Sequence, residues 1–156
     1  MKIKIIALGK IKEKFLKDGI EEFLKRLKPY TNIEVIELTP IEIKDENLKQ
    51  KALEQEATKI LECIKSDSYV ITLEILGKQL SSEDFAQKIN EVSISGVNEL
   101  VFIIGSSCGI APTVSQRANF KLSFSKMTFL HQFARLLLIE QIYRAFKILK
   151  NETYHK

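Results

Sequence analysis

The segment Leu100-Val101-Phe102-Ile103-Ile104 constrains the fold of this chain more than any other stretch. Five consecutive large apolar residues suit a strand whose alternating side chains are buried on both faces of a sheet. The sheet must therefore be covered on both sides. The surrounding segments supply the cover. Lys2–Leu8 and Ile33–Leu38 read as strands, and between them Lys12–Leu27 carries Leu16, Ile20, Phe23, Leu24 and Leu27 at helical spacing until Pro29 stops it. Asp45 caps a helix with apolar positions at Leu48, Ala52, Ala57, Ile60, Leu61 and Ile64, and Tyr69–Ile75 is a third strand. Ser81 or Ser82 caps the next helix, with Asp84 three residues after Ser81, and Gly96 ends it. Pro112 suits the first turn of a short helix, Phe120–Phe124 is a fifth strand, and a long helix runs from His131 to Lys150. Strands alternating with helices predict one α/β domain over residues 1–156, with a mainly parallel sheet of five to six strands flanked by helices.

The last helix is apolar around most of its circumference, from Phe133 and Leu136 through Leu138, Ile142 and Phe146 to Leu149. Such a helix needs neighbours on several sides. In a chain of this length one of them is expected to be a second subunit, which predicts a symmetric homodimer. The net charge of +4 is unevenly distributed, and residues 117–156 alone carry a net +6. That basic last quarter suits a polyanionic partner such as nucleic acid.

No apolar run is long enough to cross a bilayer, and the first ten residues alternate charge with apolarity instead of forming a secretory leader. A cytoplasmic protein without membrane attachment is expected. Cys63 and Cys108 form no CxxC pattern and the only histidines are His131 and His155, so no metal site is expected.

The familiar phosphate motifs are missing: no GxxxxGK[ST] and no GxGxxG after the first strand. Three loops at predicted strand ends remain, where open α/β sheets bind ligands. They contain Leu76-Gly77-Lys78, Gly105-Ser106-Ser107-Cys108-Gly109, and Phe124-Ser125-Lys126-Met127-Thr128-Phe129.

These loops also carry a resemblance. Lys2-Ile3, Gly9-Lys10, Tyr30, Val70-Ile71-Thr72-Leu73-Glu74, Gly77-Lys78, Phe102-Ile103-Ile104-Gly105, Leu122–Phe129, His131-Gln132, Tyr143–Ile148 and Tyr154-His155-Lys156 resemble the bacterial 23S ribosomal RNA pseudouridine N3-methyltransferases of the SPOUT (α/β-knot) superfamily. The resemblance spans the whole chain and is most specific in its last forty residues. It implies a C-terminal trefoil knot, a homodimer, and S-adenosylmethionine held by Leu73, Gly105, Phe124, Ser125, Lys126, Met127, Thr128 and Phe129. It implies methyl transfer to N3 of a pseudouridine in the assembled ribosome, with Arg144, Tyr154 and His155 as catalytic groups.

The other readings are a SPOUT methyltransferase for another RNA, such as transfer RNA, and a non-catalytic ribosome-binding factor of the same fold. Two positions depart from the family pattern. Ser106 stands in place of a second glycine and Leu130 in place of a proline. The first puts a side chain where backbone is expected to approach the cofactor, and the second removes a fixed φ ahead of the long helix.

Overall fold

The computed structural model describes residues 1–154. Five strands, β1 (Lys2–Leu8), β2 (Ile33–Leu38), β3 (Tyr69–Gln79), β4 (Glu99–Ile104) and β5 (Phe120–Ser123), form one sheet in the order β2-β1-β4-β3-β5. Every pair is parallel, and five helices connect or follow the strands: α1 (Lys14–Leu27), α2 (Lys49–Glu62), α3 (Ser82–Ile94), α4 (Pro112–Arg117) and α5 (His131–Leu149). The sheet has five strands, the lower figure of the sequence expectation.

Period-two alternation assigns each central strand residue to a layer. Ile3, Ile5 and Ala7 of β1 and Leu100, Phe102 and Ile104 of β4 pack with Leu16, Ile20, Phe85, Ile89, Leu138 and Ile142 from α1, α3 and α5. Ile6, Leu8, Val101 and Ile103 face the other way, against Ala57 and Ile60 of α2 and Val114 of α4. Each fully buried side chain of this size stabilises the fold by about 1.5–3 kcal/mol relative to exposure.

The punctuation read from the sequence is present. The Ser81 hydroxyl accepts from the Asp84 N–H at 3.0 Å and caps α3, and Pro112 occupies the first turn of α4. Asp45 accepts from the Asn47 N–H at 3.0 Å, but it caps a short 3₁₀ turn (Glu46–Leu48) that leads into α2.

Two features differ from expectation. First, β3 is longer than Tyr69–Ile75 and touches β5 twice: Leu122 pairs with both Leu73 and Lys78. The register therefore shifts between Leu73 and Lys78, and residues 74–77 take up the shift beside β5. Gly77 makes that approach possible, because a Cβ there would sit 2.7 Å from the Lys121 carbonyl oxygen. Second, much of the apolar circumference of α5 is covered within the chain, by α1 on one side and α3 on the other. What stays open lies toward its start: Phe133 stacks on the exposed Phe15 at 5.9 Å between ring centroids, beside the exposed Phe129 and Leu130.

Candidate active site at the carboxyl ends of the strands

β4, β3 and β5 are consecutive in the sheet, and their register fixes which loop residues meet. Thr72 pairs with Ile103 and Leu73 with Leu122, so Leu73, Gly105 and Phe124 emerge in a row at one edge. The sequence expectation for the cofactor contacts falls on that row. The Gly105 loop closes on itself through the Gly109 N–H donating to the Ser106 carbonyl at 3.0 Å. A side chain at Gly105 would collide with the Gly109 carbonyl and with Ile110.

Side-chain contacts absent from the sequence reading hold these ends in place. The Ser106 hydroxyl donates to Glu56 of α2 at 3.1 Å, and the same carboxylate accepts the Ile41 N–H at 2.9 Å. Glu56 is itself buried. Ser106 therefore turns toward α2 and anchors the loop, in contrast to the expectation that its side chain would stand where a cofactor approaches. Glu74 does the same for β3, accepting from Thr72 at 2.6 Å and from Ser115 of α4 at 3.1 Å. Sequence periodicity does not detect the bonds to Ser106 and Ser115, which lie 50 and 41 residues from Glu56 and Glu74.

In the 124–130 loop, Ser125 is turned inward: its hydroxyl accepts from the Met127 N–H at 3.0 Å, and its carbonyl accepts from the Ser123 hydroxyl at 3.0 Å. Met127 is left 74% exposed at the loop tip, so its side chain has no packing role within the chain. Leu130 keeps φ at −57°, the value a proline would impose, so the backbone entering α5 is unchanged by the departure. Phe124 and Phe129, together with Ser82, Phe85, Leu137 and Gln141, line a cleft of about 260 Å³ between α3 and α5. Leu73, Gly105, Ser125, Lys126, Met127 and Thr128 are not part of that lining. The cleft is mostly apolar, and its polar wall is the Ser82 hydroxyl donating to Gln141 at 2.8 Å.

The three expected catalytic residues divide. His155 lies outside the described residues. Tyr154 and Arg144 meet alongside the second half of α5, where the guanidinium lies 4.8 Å over the phenol ring. The Tyr154 hydroxyl donates to Glu140 at 3.0 Å, and Arg144 pairs with the same carboxylate at 2.6 Å. The phenol ring also packs edge-on against Tyr143 at 4.9 Å, so Tyr154 is docked onto the helix and not loose at a terminus. Burial and the hydrogen bond to Glu140 push its hydroxyl above the ordinary phenol range. It is thus a neutral donor near pH 7 and a poor base. Along α5, Arg144 stands about 20 Å from His131, at 1.5 Å per residue.

Among the described residues no group of three or more His, Cys, Asp or Glu side chains could hold a metal ion, and no helix is long and apolar enough to cross a membrane. A parallel α/β sheet with its polar and glycine-bearing loops gathered at the carboxyl edge defines a class of α/β proteins that bind ligands at that edge. The comparisons with known proteins narrow that class. The family model described as "Predicted SPOUT methyltransferase" matches residues 1–155. Two relatives, from Methanococcus maripaludis and Methanococcus vannielii, are each 52% identical over 160 residues and are matched over the full length of both chains. Each bears the name "Putative ribosomal RNA large subunit methyltransferase H". The chain belongs to the SPOUT methyltransferase family.

Proposed function

We propose that this methyltransferase uses S-adenosylmethionine to methylate N3 of a pseudouridine in large-subunit ribosomal RNA, acting as a cytoplasmic homodimer on the assembled ribosome. The observation that carries the reading is the full-length similarity to relatives named for that RNA, with no segment of the chain left over for another task. The strand-end row gives the reading its chemistry.

The donor would be held by Leu73, Gly105 and the run Phe124, Ser125, Lys126, Met127, Thr128 and Phe129. The donor set fits: Leu73 and Phe124 offer apolar walls, and the Gly105 loop offers backbone free of side-chain bulk. When bound, the cofactor supplies an electrophilic methyl group. The acceptor is a weakly acidic imide N–H, so the chain must remove a proton, favour the resulting anion and hold the base in line. Tyr154 is a donor and Arg144 a cation, so these two orient the ring and stabilise negative charge while His155 takes the proton.

Dimerisation completes this arrangement. The donor loop precedes α5 and the Tyr154 cluster follows it, so one helix length separates them within a chain. Two copies packed through the open apolar start of α5, around Phe15, Phe133 and Leu130, would bring the tail of one to the loop of the other. The resemblance implies a trefoil knot, and the pairing of Leu122 with two separate parts of β3 is in keeping with an irregular crossing there. Mass mapping of ribosomal RNA from a deletion strain tests the function. Loss of one methyl group from a large-subunit pseudouridine, restored by the wild-type gene, is expected. An unchanged large-subunit pattern with a methyl group lost from a transfer RNA would move the substrate to the alternative.

A further inference from the structure

A second cleft, of about 440 Å³, opens where β1 and β2 end and α5 begins, lined by Gly9, Lys10, Lys12, Glu37, His131 and Gln132 among others. It lies apart from the donor row but on the same edge of the sheet. Ala7 pairs with Ile104, so the end of β1 adjoins the end of β4 and its Gly105 loop, one strand spacing of about 4.8 Å away.

The charges of this cleft are unbalanced. Its one carboxylate, Glu37, is bound to the guanidinium of Arg135, which is 2% exposed and also donates to the Gly9 carbonyl at 2.7 Å. The remaining Nε of Arg135 is buried without a hydrogen-bond partner among the described residues. Glu37 is thereby neutralised from behind, and Lys10 and Lys12 line the cleft without an acidic partner among the described residues. The Lys12 backbone is fixed by its N–H donating to the Gln132 side chain at 2.9 Å, which ties the lysine-bearing turn to the first turn of α5. His131 shows the field at the site: burial, then Arg135 and Lys12, hold its imidazole below the ordinary histidine range. Two lysines without an acidic partner among the described residues give the cleft a positive potential, which favours an anion.

We propose that this cleft is a subsite for one phosphodiester of the RNA substrate, gripped by Lys10 and Lys12 at the start of α5. The assignment rests on the reading of the chain as an RNA methyltransferase. A nucleotide presented to the Gly105 loop has its own backbone within reach of the adjacent strand end, so the subsite positions the acceptor without touching the methyl donor. Phosphate contacts of this kind set register and orientation while base contacts set identity.

The test uses the intact protein with both lysines changed, Lys10→Ala with Lys12→Ala, and a charge-keeping pair, Lys10→Arg with Lys12→Arg. S-adenosylhomocysteine binding by calorimetry, direct binding to a large-subunit RNA fragment, and methyl transfer to ribosomes are measured at several salt concentrations. The alanine pair is expected to leave S-adenosylhomocysteine affinity within about twofold and kcat largely intact. It should raise KM for ribosomes about tenfold and lower the log–log salt slope of RNA binding by about 1, as loss of one phosphate contact requires. The arginine pair should restore both. RNA affinity and salt slope unchanged in the alanine pair would overturn the subsite, and so would a defect confined to kcat or to cofactor affinity. Failure of the wild-type protein to methylate or bind ribosomal RNA would instead count against the functional reading, because the wild type is measured in the same series.

Discussion

The two edges of the sheet are built on opposite plans. At the amino edge, polar groups are paired with one another and sealed. Lys4 and Glu99, from adjacent strands, form a buried ion pair at 3.2 Å; Ser68 donates to Glu99 at 2.8 Å and Lys4 to the Cys63 carbonyl at 3.1 Å. Arg117 closes that side by donating to the carbonyls of Lys65, Ser66 and Ser68. At the carboxyl edge, carboxylates pin the loops only from behind, through Glu56 and Glu74, while Met127, Phe129 and Leu130 stand exposed and two clefts open. The difference teaches where a ligand can be bound without dismantling the fold. An edge whose charged groups are buried and paired with one another has little to offer a substrate, whereas an edge anchored from below keeps its upper surface free.

The largest expected effect is on the chemistry assigned to the carboxyl edge, although the residues removed follow α5, one helix length away in the same chain. Removing residues 154–156 should leave folding and S-adenosylhomocysteine binding nearly intact while methyl transfer to ribosomes falls about 10²- to 10⁴-fold, the range for loss of a general base. A mixed dimer sharpens the point. One subunit lacking 154–156, paired with one carrying Gly105→Val, keeps a single working site if the tail acts across the interface. It has none if the tail serves its own chain. Undiminished turnover of the truncated protein would remove Tyr154 and His155 from the chemistry.

The amino edge should respond in stability and not in activity. Glu99→Ala leaves Lys4 buried without its partner and should cost about 3–5 kcal/mol by denaturant unfolding. Cofactor affinity of the folded fraction should not change. The effect is pH-dependent with a definite sign. Burial alone would raise the Glu99 carboxyl, but its bonds to Ser68 and Lys4 outweigh this and hold it below the usual carboxylate range. A folded-state value below the unfolded one means the contribution is fully present above about pH 4.3 and is lost as pH falls through the folded value. The gap between wild type and Glu99→Ala should therefore narrow in acid. A gap constant down to pH 2 would show that Glu99 acts by packing alone.

The smallest effect concerns the entry to α5. Because Leu130 already holds φ at −57°, Leu130→Pro should be accommodated and raise stability by about 0.4–1 kcal/mol through the unfolded chain. A clear destabilisation would mean that the side chain or N–H of Leu130 has work that the backbone angle does not reveal.

These contrasts also mark how far the sequence can be read. Ser81, Pro112, Gly96 and the run Leu100–Ile104 announce their structures because capping, φ restriction and two-sided burial are local rules. The second part of β3 is silent, since Gly77-Lys78-Gln79 shows no apolar alternation and is held by backbone pairing to β5. Arg135 reads as one more surface cation on a basic helix, yet it is buried because Glu37 and the Gly9 carbonyl, about a hundred residues earlier, receive its guanidinium. The near-uniform apolarity of α5 correctly calls for several neighbours, but α1 and α3 supply two of them within the chain. The donor row is legible as three loops at strand ends. Their meeting depends on the order β4-β3-β5, which no single segment encodes.

The claim that function resides at the carboxyl edge is tested most directly by titrating S-adenosylhomocysteine into the isotopically labelled protein and following backbone amide resonances. The account predicts saturable shifts at Leu73, at Gly105 through Gly109, and from Phe124 to Phe129, with Lys4, Ser68 and Glu99 unmoved. Saturable binding whose shifts cluster instead at the amino edge, or the absence of binding at millimolar ligand, would contradict it.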